Sequence, residues 1–324
     1  MKTNISLILI LCLLLGACKN GNASSQSKSE TPQDTIKAIK MPAIPQMMTA
    51  PEQRADFLAK HYWDNVNFAD TNYIHHPEVT EQAWADYCDL LNHVPLETAQ
   101  QAMRNVIDRT NVDKKVFTYI TDLADKYLYD PNSPMRNEEF YIPVLEAMIA
   151  SPVLNETEKI RPQARLKLAQ KNRIGTKALN FTYTLASGAQ GSLYQLKAEY
   201  LLLFINNPGC QACTETIEGL KNAPIINQLL QEKKLVLLSI YPDEELDEWK
   251  KHLSEFPNEW INGYDKKFTI KEEQVYDLKA IPTLYLLDKD KTVLLKDATA
   301  PAIEAYLMQC LTLDLVDYYK YQLK

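Results

Sequence analysis

The feature that most constrains this chain is an unbroken apolar run, Leu-Leu-Leu-Phe-Ile at 201–205, followed within a few residues by Cys210-Gln211-Ala212-Cys213. Five consecutive apolar residues read as a strand buried on both faces, and the residues after the first cysteine read as a helix from about 212 to 230. A cysteine at such a junction sits where the unpaired N–H groups and the dipole of a helix favour a thiolate over a thiol. A second cysteine three positions on, one helical turn later, can attack a mixed disulfide formed on the first. The spacing therefore points to dithiol–disulfide exchange, with Cys210 as the attacking sulfur and Cys213 as the more buried, resolving one.

The pattern around this motif alternates. Segments at 181–185 and 193–196 flank the turn-like Ser187-Gly188-Ala189-Gln190-Gly191 and predict a hairpin. Beyond the motif, strands are expected at 235–241, 283–287 and 293–296, and helices at 244–253, 270–278 and from about 302. Thr269 with Glu272 makes a capping-box pattern at the second of these helices. Strands and helices interleaved in this way predict a mixed sheet covered on both faces. Ala280-Ile281-Pro282-Thr283 leads into the strand at 283–287, where a trans proline fits poorly and a cis proline can open a strand.

Strand, CxxC and helix, followed downstream by Ile-Pro-Thr and a strand hairpin, resembles the thioredoxin fold from about residue 174 to the C-terminus. Cys213 and Pro282 lie 69 positions apart, which leaves room for an extra strand and helix and is more similar to the membrane-tethered TlpA and ResA thiol-disulfide oxidoreductases than to minimal thioredoxin. That resemblance implies protein thiol and disulfide substrates, an electron donor in the cell envelope, and no cofactor. It also implies roles for Pro282, which keeps the surface beside the sulfur open, and for Ile281, whose backbone meets an extended substrate segment. Two departures bear on chemistry. Asn206-Asn207-Pro208-Gly209 stands where many thioredoxins carry Trp before the first cysteine, and the inner pair is Gln-Ala rather than Gly-Pro. With no histidine between the cysteines, strong thiolate stabilisation has no evident source, so the motif fits a reductant or isomerase better than a strong oxidant. The strand at 201–205 also lacks a carboxylate to take the proton of Cys213. Glu199 is the nearest acid in sequence, although its position reads as an exposed one.

From 52 to 172 the apolar residues recur three or four apart, as in Phe57, Leu58, His61 and Tyr62 and again in Trp84, Tyr87, Cys88 and Leu91. An all-helical domain follows, with a capping box at Asn155 and Glu158 and with Pro162 early in its last helix. It resembles a domain of unknown function that precedes thioredoxin-like domains in envelope lipoproteins, and it implies no activity. The polar loop 129–137 carries Arg136, which either presents a guanidinium to a ligand or satisfies neighbouring backbone. His75 and His76, beside Pro77, read as solvated loop residues rather than ligands. Cys88 and Cys310 fall at apolar helical positions and read as single thiols. The tyrosines at 318, 319 and 321 read as packing residues.

At the N-terminus, Lys2, an apolar stretch at 5–15 and small residues before Cys18 read as a targeting signal too short to span a membrane. Leu15-Gly16-Ala17-Cys18 resembles the lipobox of bacterial lipoproteins, which implies removal of residues 1–17, lipidation of Cys18 by palmitate-type chains, and anchoring to a membrane. Residues 18–51, rich in Asn, Ser, Gln, Lys, Thr and Pro, read as a flexible tether. With no acidic run after Cys18, the periplasmic side is expected. The domain order is therefore signal 1–17, tether 18–51, helical domain 52–172 and thioredoxin-like domain 173–324.

Other classes are excluded on composition and motif. Asp and Glu (42) outnumber Lys and Arg (35), giving a net charge of -7 and arguing against nucleic acid. Eight glycines and no glycine-rich motif argue against a phosphate-cradling loop. The peroxidase pattern Pro-x-x-x-Thr-x-x-Cys does not precede Cys210, and His252, Cys88 and Cys310 offer no spacing for a metal with the CxxC pair. The remaining alternative is a scaffold lipoprotein whose thioredoxin-like half is a platform with a permanent Cys210–Cys213 disulfide.

Overall fold

The computed structural model describes residues 38–322, and side-chain surroundings through residue 313. The segment read as a signal peptide and Cys18 lie outside the described residues, as do the side chains of Tyr318, Tyr319 and Tyr321. No helix among the described residues is long and apolar enough to cross a membrane.

The helical half comprises α1 (Pro51–His61), α2 (Pro77–Leu91), α3 (Leu96–Arg109), α4 (Lys114–Ala124), α5 (Glu138–Ala150) and α6 (Glu156–Ala169). Their apolar faces meet in one core built around Trp84, Tyr87, Met103, Phe117, Ile120 and Tyr141. The capping box expected at α6 is present in both directions: the Asn155 side chain accepts from the Glu158 N–H, and Glu158 accepts from the Asn155 N–H. Pro162 lies inside α6 without ending it. Of the segment read as a tether, residues 38–50 form no helix or strand, yet Ile39 packs against the helical core and the Lys40 carbonyl accepts a bond from Asn65.

The second half is a seven-stranded mixed sheet in the order β2-β1-β5-β4-β3-β6-β7. Its strands are β1 (Thr182–Leu185), β2 (Gln190–Ser192), β3 (Tyr200–Ile205), β4 (Leu235–Tyr241), β5 (Ile261–Tyr264), β6 (Thr283–Asp288) and β7 (Val293–Lys296). β3 runs parallel to β4 and antiparallel to β6. Because side chains alternate along a strand, Leu202 and Phe204 enter one core with Ile217, Leu220, Ile226, Leu229, Ile303 and Leu307. Leu201, Leu203 and Ile205 enter another, with Phe181, Leu238, Ile240, Ile270, Tyr276 and Tyr285. The unbroken apolar run is thus a central strand with a core on each side. The helices are α7 (Gln211–Lys221), α8 (Pro224–Gln231), α9 (Leu246–Lys251), α10 (Thr269–Glu272) and α11 (Ala300–Gln322).

Several elements differ from expectation. The helix expected over 212–230 is two, α7 and α8, divided at Asn222-Ala223; Pro224 lacks the N–H that a continuing helix needs and instead opens the next. The hairpin partner of β1 is Gln190–Ser192, which overlaps the end of the segment read as a turn, while Leu193–Gln195, expected as a strand, forms a 3₁₀ turn. Strand β5 was not among the expected strands: Ile-Asn-Gly-Tyr has no apolar alternation, and Gly263 is required because a Cβ there would lie 2.9 Å from the Tyr183 ring. Helix α10 stops after four residues, and no Thr269 capping box forms. Asp265 caps it instead, its carboxylate accepting the Ile270 N–H at 2.6 Å and the Lys267 N–H at 3.2 Å.

Candidate active site

The site lies where β3 ends. After Ile205, Asn206 continues the pairing through its N–H to the Ile240 carbonyl, and its buried side chain donates to Ser239 Oγ at 2.8 Å and to the Phe204 carbonyl at 3.2 Å. The chain then turns through Asn207-Pro208-Gly209. Gly209 adopts φ +69, a left-handed conformation that disfavours a side chain. Cys210 follows as the N-cap of α7, with extended backbone, and its carbonyl accepts the first helical bond from the Thr214 N–H. The strand-to-helix junction inferred from sequence therefore holds Cys210 as expected.

Cys210 is partly exposed and Cys213, one turn into α7, is buried; neither is in a disulfide. Burial pushes the Cys213 thiol up to about 12, against a lowering bond from the Asn207 N–H and reinforced by the neighbouring Cys210. At neutral pH Cys213 therefore keeps its proton. The two sulfurs differ in access, as an attacking and a resolving thiol require.

The antiparallel register of β3 and β6 pairs Ile205 with Thr283. This places the residues just before Thr283 alongside those just after Ile205, and the Ile281–Pro282 peptide there is cis. The Cys210 Sγ donates to the Ile281 carbonyl at 3.8 Å. Four residues singled out in the sequence, Cys210, Cys213, Ile281 and Pro282, are thus brought together, although 71 positions separate Cys210 from Ile281.

Other candidates lie elsewhere. Glu199 is exposed and precedes β3 at the end opposite Cys210. Six strand residues at about 3.3 Å each separate it from the site, too far for proton transfer to Cys213. An acid that does bond the loop is Asp243, whose carboxylate accepts from Asn207 Nδ2 at 3.0 Å and pairs with Lys271 at 2.8 Å. Burial opposes its charge, but these bonds hold its carboxyl below the usual value. Sequence reasoning did not single out Asn206, Asn207 or Asp243 for these contacts. The only available cue was two polar residues directly after a five-residue apolar run. His76 bonds Glu78 at the start of α2, and His75 is exposed. Cys88 is a buried free thiol pushed up by burial, and Cys310 is free and partly buried. Arg136 of the loop 129–137 donates to the Asp297 carbonyl. Among the described residues no group of three or more His, Cys, Asp or Glu is placed to hold a metal ion.

Comparison with known proteins agrees with this architecture. Residues 17–172 match the family described as a domain of unknown function, DUF5106, and residues 198–293, which include both cysteines and Pro282, match the family described as thioredoxin-like. No curated protein matches the chain. A thioredoxin-like protein from Bacteroides caccae, solved by crystallography, is 84% identical over 85% of this chain and 99% of its own, with a TM-score of 0.83. The C-terminal domain of an uncharacterized Bacteroides fragilis protein is 69% identical over 42% of this chain and 98% of its own, with a TM-score of 0.42. A domain of a possible thiol-disulfide isomerase from Cytophaga hutchinsonii is 25% identical over 45% of this chain and 99% of its own, with a TM-score of 0.39. The chain belongs to the thioredoxin-like proteins, with a DUF5106 domain in its N-terminal half and a thioredoxin-like domain in its C-terminal half.

Proposed function

We propose that the protein is a thiol-disulfide oxidoreductase of the cell envelope, anchored to a membrane through lipidated Cys18 and facing the periplasm, that exchanges electrons with protein substrates through Cys210 and Cys213. The observation that carries this reading is the partly exposed Cys210 sulfur at the start of α7, 3.8 Å from the Ile281 carbonyl of the cis-proline loop. A disulfide-bearing segment laid along that loop meets the sulfur without rearrangement of the core.

In the reducing direction the Cys210 thiolate attacks one sulfur of the substrate disulfide. A mixed disulfide forms, and the other substrate sulfur leaves as a thiolate that takes up a proton. Cys213 keeps its proton because it is buried and because Cys210 lies beside it. Once Cys210 is engaged in the mixed disulfide, the second of these contributions is gone. Cys213 then loses its proton to solvent or to the departing substrate and attacks Cys210. The substrate is released as a dithiol, and the Cys210–Cys213 disulfide remains. Two electrons have passed to substrate, and an envelope dithiol donor restores the pair.

Insulin reduction tests the reading. The wild-type protein, supplied with a dithiol reductant, is expected to accelerate insulin reduction, and Cys210→Ser to lose the acceleration. Equal rates with wild type and variant would instead favour a scaffold in which the thioredoxin-like half is a platform.

A further inference from the structure

Hydrogen bonds and ion pairs link the helical half to the thioredoxin-like half. Lys171 Nζ donates to the Glu273 and Gln274 carbonyls at 3.2 and 2.6 Å. Asn172, buried and left-handed at φ 50, donates from Nδ2 to the Val275 carbonyl at 2.7 Å and accepts the Leu179 N–H through Oδ1 at 2.7 Å. Lys279 then enters a nearly buried set of charges. Its ammonium lies 3.1 Å from Glu138 of α5, 3.3 Å from Asp277 and 3.0 Å from Asp297, over the Tyr129 ring. Lys296 reaches back to Glu138 and to the Ala169 and Lys171 carbonyls, and Arg136 to the Asp297 carbonyl. Asp297 in turn accepts from Thr283 Oγ1 at 2.7 Å.

These contacts bracket one loop. Lys279 precedes Ile281-Pro282 by two residues and Thr283 follows it, and both are tied to Asp297; Lys279 is also tied to Glu138 in the helical domain. The cationic and anionic groups in contact (Lys279, Lys296 and Arg136 with Glu138, Asp277 and Asp297) balance, so the cluster has no charge left over to recruit an ion. Buried ion pairs add little net stability once desolvation is counted, and in some proteins they serve to fix one arrangement. The segment flanked by these contacts carries the Ile281 carbonyl that meets Cys210.

We propose that the helical domain is the positioning element of the cis-proline loop, and that Glu138 and Lys279 are positioning residues that hold Ile281 where an extended substrate segment meets the Cys210 sulfur. The proposal rests on the thiol-exchange reading for its kinetic consequence and not for its structural one. Neither residue touches the reacting sulfur. Loosening them lets the loop sample positions that bind substrate poorly, while Cys210 and Cys213, carried on α7, keep their own geometry.

The test uses the full chain carrying Glu138→Gln, which keeps the side-chain shape and removes the charge, and Arg136→Met at the margin of the cluster, where loss of folding is least expected. With insulin as substrate, KM is expected to rise about five- to tenfold in Glu138→Gln while kcat changes by less than about twofold, with a smaller rise in Arg136→Met. Hydrogen exchange of the amides of residues 279–281 and 283 is expected to speed up in both variants, while that of α7 is unchanged. Folded variants with wild-type KM and wild-type exchange in this loop would overturn the proposal. If the wild-type protein reduces no disulfide, the thiol-exchange reading fails. The exchange measurement then still decides whether the helical domain holds the loop.

Discussion

At the scale of single residues, the candidate site presents a contrast between two sulfurs of one motif. Cys210 is partly exposed at the end of a loop, and Cys213 is buried with its thiol pushed up to about 12. Limited alkylation of the reduced protein near pH 8 is therefore expected to label Cys210 and spare the buried Cys213 and Cys88 at early times, as read by peptide mass mapping. Labelling of Cys213 as fast as Cys210 would contradict the asymmetry. The sequence made this contrast legible, because a cysteine preceding a helix and one a turn later differ in burial wherever the helix packs on a sheet. It did not disclose Asn206, Asn207 or Asp243. Their contacts to Ser239, the Cys213 sulfur and Lys271 depend on where β4 and the loop after it fall in space.

At the scale of elements, what could be read were segments whose own pattern carried the answer. The run at 201–205 is β3, the Ile-Pro-Thr segment opens β6, and Asn155 with Glu158 caps α6. What could not be read depended on partners distant in sequence. Ile261–Tyr264 becomes β5 because β4 and β1 pair on either side of it, and nothing in Ile-Asn-Gly-Tyr announces this. Helix α10 was expected to begin from Thr269 and to continue to residue 278. It is capped by Asp265, four residues earlier, and ends at Glu272, before Lys171 and Asn172 bond the carbonyls of residues 273–275 from the helical half. Asp265→Ala leaves the buried Ile270 N–H without a partner, at a cost of about 1–3 kcal/mol. Denaturant unfolding is expected to show that loss, with little change in the reactivity of Cys210. An unchanged midpoint would show that the cap contributes nothing.

At the scale of the whole molecule, the two halves are joined by buried charges. Burial alone would raise the Asp297 carboxyl, but Lys279 and Arg136 outweigh it and bring it below its usual value of 3.8. A carboxyl depressed by folding contributes stability that is fully present above the unfolded value and lost as pH falls through the folded one. The melting temperature is therefore expected to fall below about pH 3.8, and to fall less steeply in Asp297→Asn, by calorimetry across pH 2–6. Parallel pH profiles would contradict the assignment. This interface could not be read beforehand: Arg136 stood in a polar loop, Lys279 in an expected approach to a strand, and Glu138 in the first turn of a helix, with nothing in their local patterns to join them.

In the proposed exchange, Cys210 forms a covalent bond to a partner's sulfur and Cys213 breaks it. Trapping tests it most directly: Cys213→Ala, reduced and then exposed to a disulfide-containing protein, is analysed by intact mass without reductant. An adduct is expected that maps to Cys210, disappears on addition of dithiothreitol and does not build up with the wild-type chain. No adduct, with Cys210 shown by labelling to be reduced and accessible, would contradict it.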